Sequence, residues 1–178
     1  MITREQIVIW LKRSASVLEE NRGYLSDLDA PIGDSDHGIN MARGFGKLVE
    51  KLPTVEDTDI GNIFKTSGMA LISSVGGASG PLYGTFFMRA AGPVQSKQEL
   101  DGTDLVNFLK AGLEGVVQRG RANLGDKTMV DALSPAVDAL ATAVEKDADL
   151  HAALKACVKA AEQGMKATTP LVAKKGRA

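Results

Sequence analysis

Apolar residues recur at helical spacing along almost the whole chain, and the recurrence is interrupted by a few glycine-bearing loops. Thr3 followed by Gln6 has the form of a capping box, and Ile7, Trp10, Leu11, Val17 and Leu18 continue a first helix that Gly23 is predicted to end. A polar, Gly- and Asp-rich segment over 27–40 separates it from a second helix carrying Met41, Phe45, Leu48 and Leu52 and closed by Pro53. From Asp59 onward, Ile60, Ile63, Phe64, Leu71 and Val75 predict a third helix running into a Gly76-Gly77-Ala78-Ser79-Gly80-Pro81 loop. Pro81 suits the first turn of the next helix, with Leu82, Phe86, Phe87 and Ala90. Thr103 is predicted to cap a helix that bears Leu105, Phe108, Leu109, Leu113, Val116 and Val117 and stops near Gly120. A third loop, Arg121 to Lys127, leads to Val130, Leu133, Val137, Leu140 and Val144, then to Leu150, Leu154, Cys157, Val158 and Ala161. The last segment runs past Pro170 to Lys174 and Lys175. No stretch alternates with period two and no internal repeat is evident, so the pattern predicts an all-α architecture of about seven helices.

Length and composition narrow the class. A chain of 178 residues, 44% hydrophobic and 24% charged, is read as one globular domain over 1–178 with room for a sizeable core. Lys and Arg number 21 against 22 Asp and Glu, and a net charge of -1 gives no field that would attract nucleic acid or an anionic membrane. The single Cys157 forms no internal disulfide and suits a reducing cytosol. No apolar run approaches the roughly 20 residues a bilayer span requires, and the charged start Met1-Ile2-Thr3-Arg4-Glu5 does not read as a secretory signal.

Chemistry concentrates in the loops. Asp29, Asp34 and Asp36 stand close together, a crowding that costs repulsion unless a cation is present. Carboxylates without thiolates favour magnesium, manganese or calcium over zinc, while helix caps and turns use the same residues. An EF-hand starting at Asp34 fails, because its sixth and twelfth places hold Ile39 and Phe45 instead of Gly and Glu. His37 lies inside this acidic loop; His151 sits in a helical pattern without a partner at metal spacing. The Gly76–Gly80 loop offers backbone N–H groups and a helix start to a phosphate. It lacks the spacing of a nucleophile elbow and Ser79 shows no His base in sequence, so Ser79 is read as a binder. Gly120-Arg121-Ala122-Asn123-Leu124-Gly125-Asp126-Lys127-Thr128 misses the P-loop pattern by the intruding Asp126, though its Gly, Lys and Thr before a helix can contact a nucleotide.

The run Tyr24 to Phe45, with Leu28-Asp29-Ala30-Pro31-Ile32-Gly33-Asp34-Ser35-Asp36-His37-Gly38-Ile39-Asn40 at its centre, resembles the signature of the dihydroxyacetone kinase L-subunit family. So do Ser74-Val75-Gly76-Gly77-Ala78-Ser79-Gly80-Pro81-Leu82-Tyr83-Gly84-Thr85, Gly125-Asp126-Lys127-Thr128-Met129 and Lys175-Gly176-Arg177-Ala178, in order along the chain. The resemblance implies a closed barrel of antiparallel amphipathic helices holding ADP or ATP and two magnesium ions in loops at one rim. It matches Asp29, Asp34 and Asp36 to metal-binding aspartates, and His37, Gly38, Ile39, Asn40, Ala78, Ser79, Gly120, Met129 and Arg177 to nucleotide contacts. It further implies a cytoplasmic phosphotransferase subunit with no covalent nucleophile, working with a dihydroxyacetone-binding K subunit and a phosphohistidine-carrying M subunit, and a possible homodimer. An exchangeable ATP-binding subunit of a sugar or fatty-acid kinase, and a non-catalytic nucleotide-binding interaction protein, stand as alternatives. Family members continue beyond the Gly-Arg-Ala motif through a Gly-rich loop and a last helix, a segment this chain is expected to lack.

Overall fold

A computed structural model describes residues 1–175. Among them the helices are α1 (Arg4–Glu20), α2 (Arg22–Asp29), α3 (His37–Lys51), α4 (Ile60–Ser74), α5 (Ser79–Ala90), α6 (Gly102–Gly120), α7 (Val130–Glu145) and α8 (Leu150–Ala167). The all-α expectation holds, with one addition. Ile2–Thr3 (β1) pairs antiparallel with Glu99–Leu100 (β2), a ribbon too short to show as alternation in the sequence.

Helix starts follow side-chain chemistry. The Thr3 hydroxyl accepts from the Gln6 N–H while Gln6 accepts from the Thr3 N–H, the reciprocal box that the spacing predicts. Asp59 and Asp149 cap α4 and α8 through their carboxylates. At α6 the cap is Asp101 and not Thr103, because Asp101 closes its own box with Asp104 and leaves Thr103 inside the first turn. Gly23 does not end a helix: Asn21 terminates α1, and the chain turns directly into α2 with Gly23 inside it. The acidic segment is correspondingly shorter than the expected 27–40, since α2 reaches Asp29 and α3 begins at His37.

The helices wrap into a barrel in which α3, α4, α5, α6, α7 and α8 neighbour one another in chain order and α1 lies against α3. Its seam lies between α1 and α8, which share none of the principal interfaces among the described residues. Phe64 and Phe108 are fully buried with ring centroids 4.3 Å apart, and Phe86, Phe87 and Trp10 extend this aromatic centre. Each of the four buried Phe rings contributes roughly 1.5–3 kcal/mol by burial, whereas Trp10 keeps an exposed edge. An apolar lumen of about 530 Å³, open to solvent and walled by Trp10, Val17, Phe45, Tyr83, Phe86 and Met129 among others, lies along this centre. No helix among the described residues is long and apolar enough to cross a membrane.

Candidate functional site

Three loops carry the chemistry: 30–36 between α2 and α3, 75–78 between α4 and α5, and 121–129 between α6 and α7. In the first, Asp29, Asp34 and Asp36 bring one carboxylate oxygen each to within 4.8 Å of one another. Two backbone contacts shape the cluster. The Gly33 N–H donates to the Asp29 carbonyl at 2.6 Å, and the Asp36 N–H donates to Asp29 Oδ2 at 3.2 Å. Ser35 adopts φ 61°, which turns the chain so that both flanking carboxylates face the same place. Asp34 and Asp36 are exposed and Asp29 is half-buried. An all-oxygen set of this kind fits a hard divalent cation that keeps some of its waters.

His37 opens α3, and its Nδ1 lies 3.3 Å from Ser79 Oγ at the start of α5. The sequence showed no His near Ser79; the fold supplies one from a helix forty-two positions earlier. The contact joins the acidic loop to the glycine loop. Next to it, α2 crosses the start of α3 so closely that any side chain at residue 38 would strike the Arg22 carbonyl and Ser26 Oγ, which is why Gly38 stands there.

A cavity of about 520 Å³ opens beside this junction, and His37, Ala78, Ser79, Gly120 and Met129 all line it. Much of its wall is apolar, through Leu82, Val116, Ala122 and Val130 besides Met129. Arg119, Lys127 and Lys175 bring cations to the same wall, and the first turns of α3 and α5 bring unpaired backbone N–H groups nearby. Apolar surface with cations and helix starts suits a planar base bearing phosphates. Tyr83 belongs to this wall and to the lumen wall; burial pushes its phenol up from the ordinary value of 10.0.

Three of the expected nucleotide contacts are not on the cavity wall. Gly38 is buried under α2 and Ile39 is 50% exposed. Asn40 is buried, accepting from Arg43 Nη2 at 2.6 Å, while Arg43 Nε donates to the Ser74 carbonyl at 3.2 Å. Asn40 therefore braces the approach to the glycine loop. Arg177 lies outside the described residues. Lys127 and Thr128, which their place before a helix marks in the sequence as able to contact a nucleotide, line the cavity, and so do Arg119 and Tyr83, which nothing in the sequence singles out for that role.

In the third loop the carboxylates are inside. Asp126 is 6% exposed and Oδ2 accepts from the Asn123 N–H at 2.8 Å. Asp131 is 8% exposed, and its carboxylate accepts from the N–H groups of Gly125 (2.5 Å) and Thr128 (2.8 Å). Burial works against its ionisation, but the backbone donors, Thr128 and Gly125 foremost, outweigh burial and hold the carboxyl below its usual value. Lys127 Nζ donates to the carbonyls of Thr169 (3.2 Å) and Leu171 (3.0 Å), and the Lys174 N–H donates to the Asp126 carbonyl. The segment after α8 is thus strapped back onto the loop.

Comparison with known proteins places these features in a family. Residues 31–178 match the DAK2 domain. The chain is 48% identical over 177 residues to the "PEP-dependent dihydroxyacetone kinase, ADP-binding subunit DhaL" of Escherichia coli, covering 99% of this chain and 84% of that protein. It is 44% identical to the ADP-binding subunit DhaL of PEP-dependent dihydroxyacetone kinase 2 of Listeria innocua, covering 94% and 78%. Among solved structures, the dihydroxyacetone kinase from C. freundii in complex with AMP-PNP and Mg2+ superposes with a TM-score of 0.69 at 28% identity. That match covers 88% of this chain and only 28% of the longer one.

Proposed function

The chain belongs to the DAK2-domain family, and from that premise we propose that it is the ADP-binding phosphotransferase subunit of a phosphoenolpyruvate-dependent dihydroxyacetone kinase. ADP and magnesium, two ions by the family's pattern, would be held by this chain, so that ADP could accept the phosphoryl group from a phosphohistidine M subunit, leaving free histidine, and the ATP formed could pass it to dihydroxyacetone on a K subunit, leaving ADP. The single observation that carries this reading is the contact of His37 with Ser79, which sets the three-carboxylate loop against a cavity of nucleotide size.

The chain's own residues have separable tasks. Asp29, Asp34 and Asp36 hold the cations through carboxylate oxygens and so cancel the charge of phosphates brought beside them. Ser79, with the N–H groups that open α5 and α3, receives phosphate oxygens and fixes their direction. Arg119, Lys127 and Lys175 add positive charge at the wall, and Met129 with Leu82 and Val116 gives the base an apolar seat that excludes water. No side chain here acts as a covalent nucleophile. Residues 1–178 act as one domain in the cytoplasm, an assignment in keeping with the lone Cys157.

Two measurements test the proposal. Protein purified without added nucleotide and then denatured is expected to release ADP. A mixture with K and M subunits is expected to form dihydroxyacetone phosphate from phosphoenolpyruvate. Free passage of nucleotide through a desalting column would instead indicate an exchangeable ATP-binding subunit, and a complete mixture that stays silent while a known L subunit succeeds would rule out the phosphotransferase.

A further inference from the structure

Asp131 occupies an unusual position. It is the second residue of α7, where an acid ordinarily faces solvent and favours the helix N-terminus, yet here it is buried. Its carboxylate turns back into the preceding loop and takes the Gly125 N–H on one oxygen and the Thr128 N–H on the other. Its own N–H donates to the Thr128 carbonyl, so one residue holds the loop at three points. The loop needs this, because Gly125 and Lys127 both adopt left-handed φ values, 86° and 59°, and a non-glycine residue in that region is held there only by its surroundings. The residues so fixed, Lys127, Thr128 and Met129, line the cavity.

A second feature fixes Asp131 from behind. Pro135, one turn later in α7, has no N–H, so the Asp131 carbonyl lacks its helical donor. On α8 the backbone of Gly164 passes against that carbonyl so closely that any Cβ at 164 would strike it, with Pro135 Cγ only 2.9 Å away. Proline and glycine together let α8 press on the main chain of the residue whose side chain organises the loop.

We propose that Asp131 is a positioning residue for the nucleotide: it touches no ligand, but its two carboxylate oxygens hold the 125–128 loop in the one conformation that presents Thr128 and Met129 to the cavity. The assignment rests on the nucleotide reading of the cavity. It predicts that affinity for nucleotide depends on Asp131 while the demand for magnesium, set by the acidic loop, does not.

The test is calorimetric titration of Mg-ADP into the ligand-stripped chain as wild type, Asp131→Asn and Asp131→Glu, with amide hydrogen exchange on the same proteins. Asp131→Asn removes one charged acceptor and is expected to weaken Mg-ADP by ~10–100-fold, with helical content and the magnesium half-saturation point unchanged. Asp131→Glu, keeping both oxygens, is expected to recover part of the loss. The amides of Gly125 and Thr128 should exchange slowly in the wild type and quickly in Asp131→Asn. Wild-type affinity in a folded Asp131→Asn variant overturns the assignment. So does fast exchange of both amides in the wild type, a reading that remains decisive if the variant fails to fold. Should the wild type itself bind no Mg-ADP, the nucleotide reading fails, and slow exchange at Gly125 and Thr128 would leave Asp131 as an organiser of the loop alone.

Discussion

The acidic loop and the third loop are built from the same few residue types, and they use them in opposite ways. In 29–37 the carboxylates of Asp29, Asp34 and Asp36 converge at the surface, where repulsion among them stores an affinity for a cation. In 121–131 the carboxylates of Asp126 and Asp131 are buried and spent on backbone N–H groups, where they fix the chain. Both loops also contain a residue forced into left-handed φ, Ser35 in one and Lys127 in the other. Composition does not separate the two roles; what separates them is that three carboxylates converge in the first loop, whereas in the third each is buried against backbone N–H groups.

The contrast can be broken by experiment. The largest effect belongs to Asp36→Ala, which removes one of the three carboxylates proposed to hold the cation. It is expected to cost more than the ~10–100-fold typical of outer partners of a metal site in magnesium-dependent ADP binding, with unchanged circular dichroism. Calorimetry with and without magnesium checks it, and normal retention would take Asp36 out of the metal site. Asp131→Asn comes next, with its loss independent of magnesium concentration. If both variants shifted the magnesium half-saturation point alike, the two loops would share one role and the contrast would be wrong.

Smaller effects sharpen it further. Gly38→Ala should overpack the start of α3 against the Arg22 carbonyl and cost about 1–3 kcal/mol of stability, seen as a lower melting temperature. Acid should separate the loops as well. The Asp131 carboxyl lies below its ordinary 3.8 when folded, so its contribution to stability is fully present above that value and is lost as pH falls through the folded value. The acid limb of the melting-temperature profile should therefore be shallower in Asp131→Asn than in the wild type. The smallest change is expected for Lys127→Ala. It frees the carbonyls of Thr169 and Leu171 and should speed amide exchange in the segment after α8, with a modest loss of Mg-ADP affinity in calorimetry from the cation removed at the cavity wall.

Much of this was legible in the chain because it depends on local chemistry. The Thr3–Gln6 box, the Asp59 start of α4 and the stop at Gly120 each need only neighbouring residues, and spacing alone revealed them. The misplaced cap at Thr103 shows the limit: Asp101 and Asp104 form a competing box two residues earlier, and Asp at N3 performs the task that Glu or Gln usually does. Asp29, Asp34 and Asp36 are visible as a cluster in sequence, and they remain one in space. What stayed hidden depends on distant contacts. His37 beside Ser79 joins two helices, and Asp131 takes its role from a buried turn that nothing in the sequence singles out. Asn40 reads as a polar loop residue, and only the fold turns it toward Arg43.

The short ribbon of Ile2–Thr3 with Glu99–Leu100 bears on the order of folding. The α4–α5 and α7–α8 pairs are each joined by a few residues, so their interfaces close small loops and can form early. The ribbon, reinforced where the Arg4 N–H donates to the Gln98 carbonyl, must wait until the intervening helices have brought β2 into place. The pairing of residues 2–3 with 99–100 is thus among the last contacts to be fixed, whereas the apolar face of α1 can already be covered when α3 folds against it.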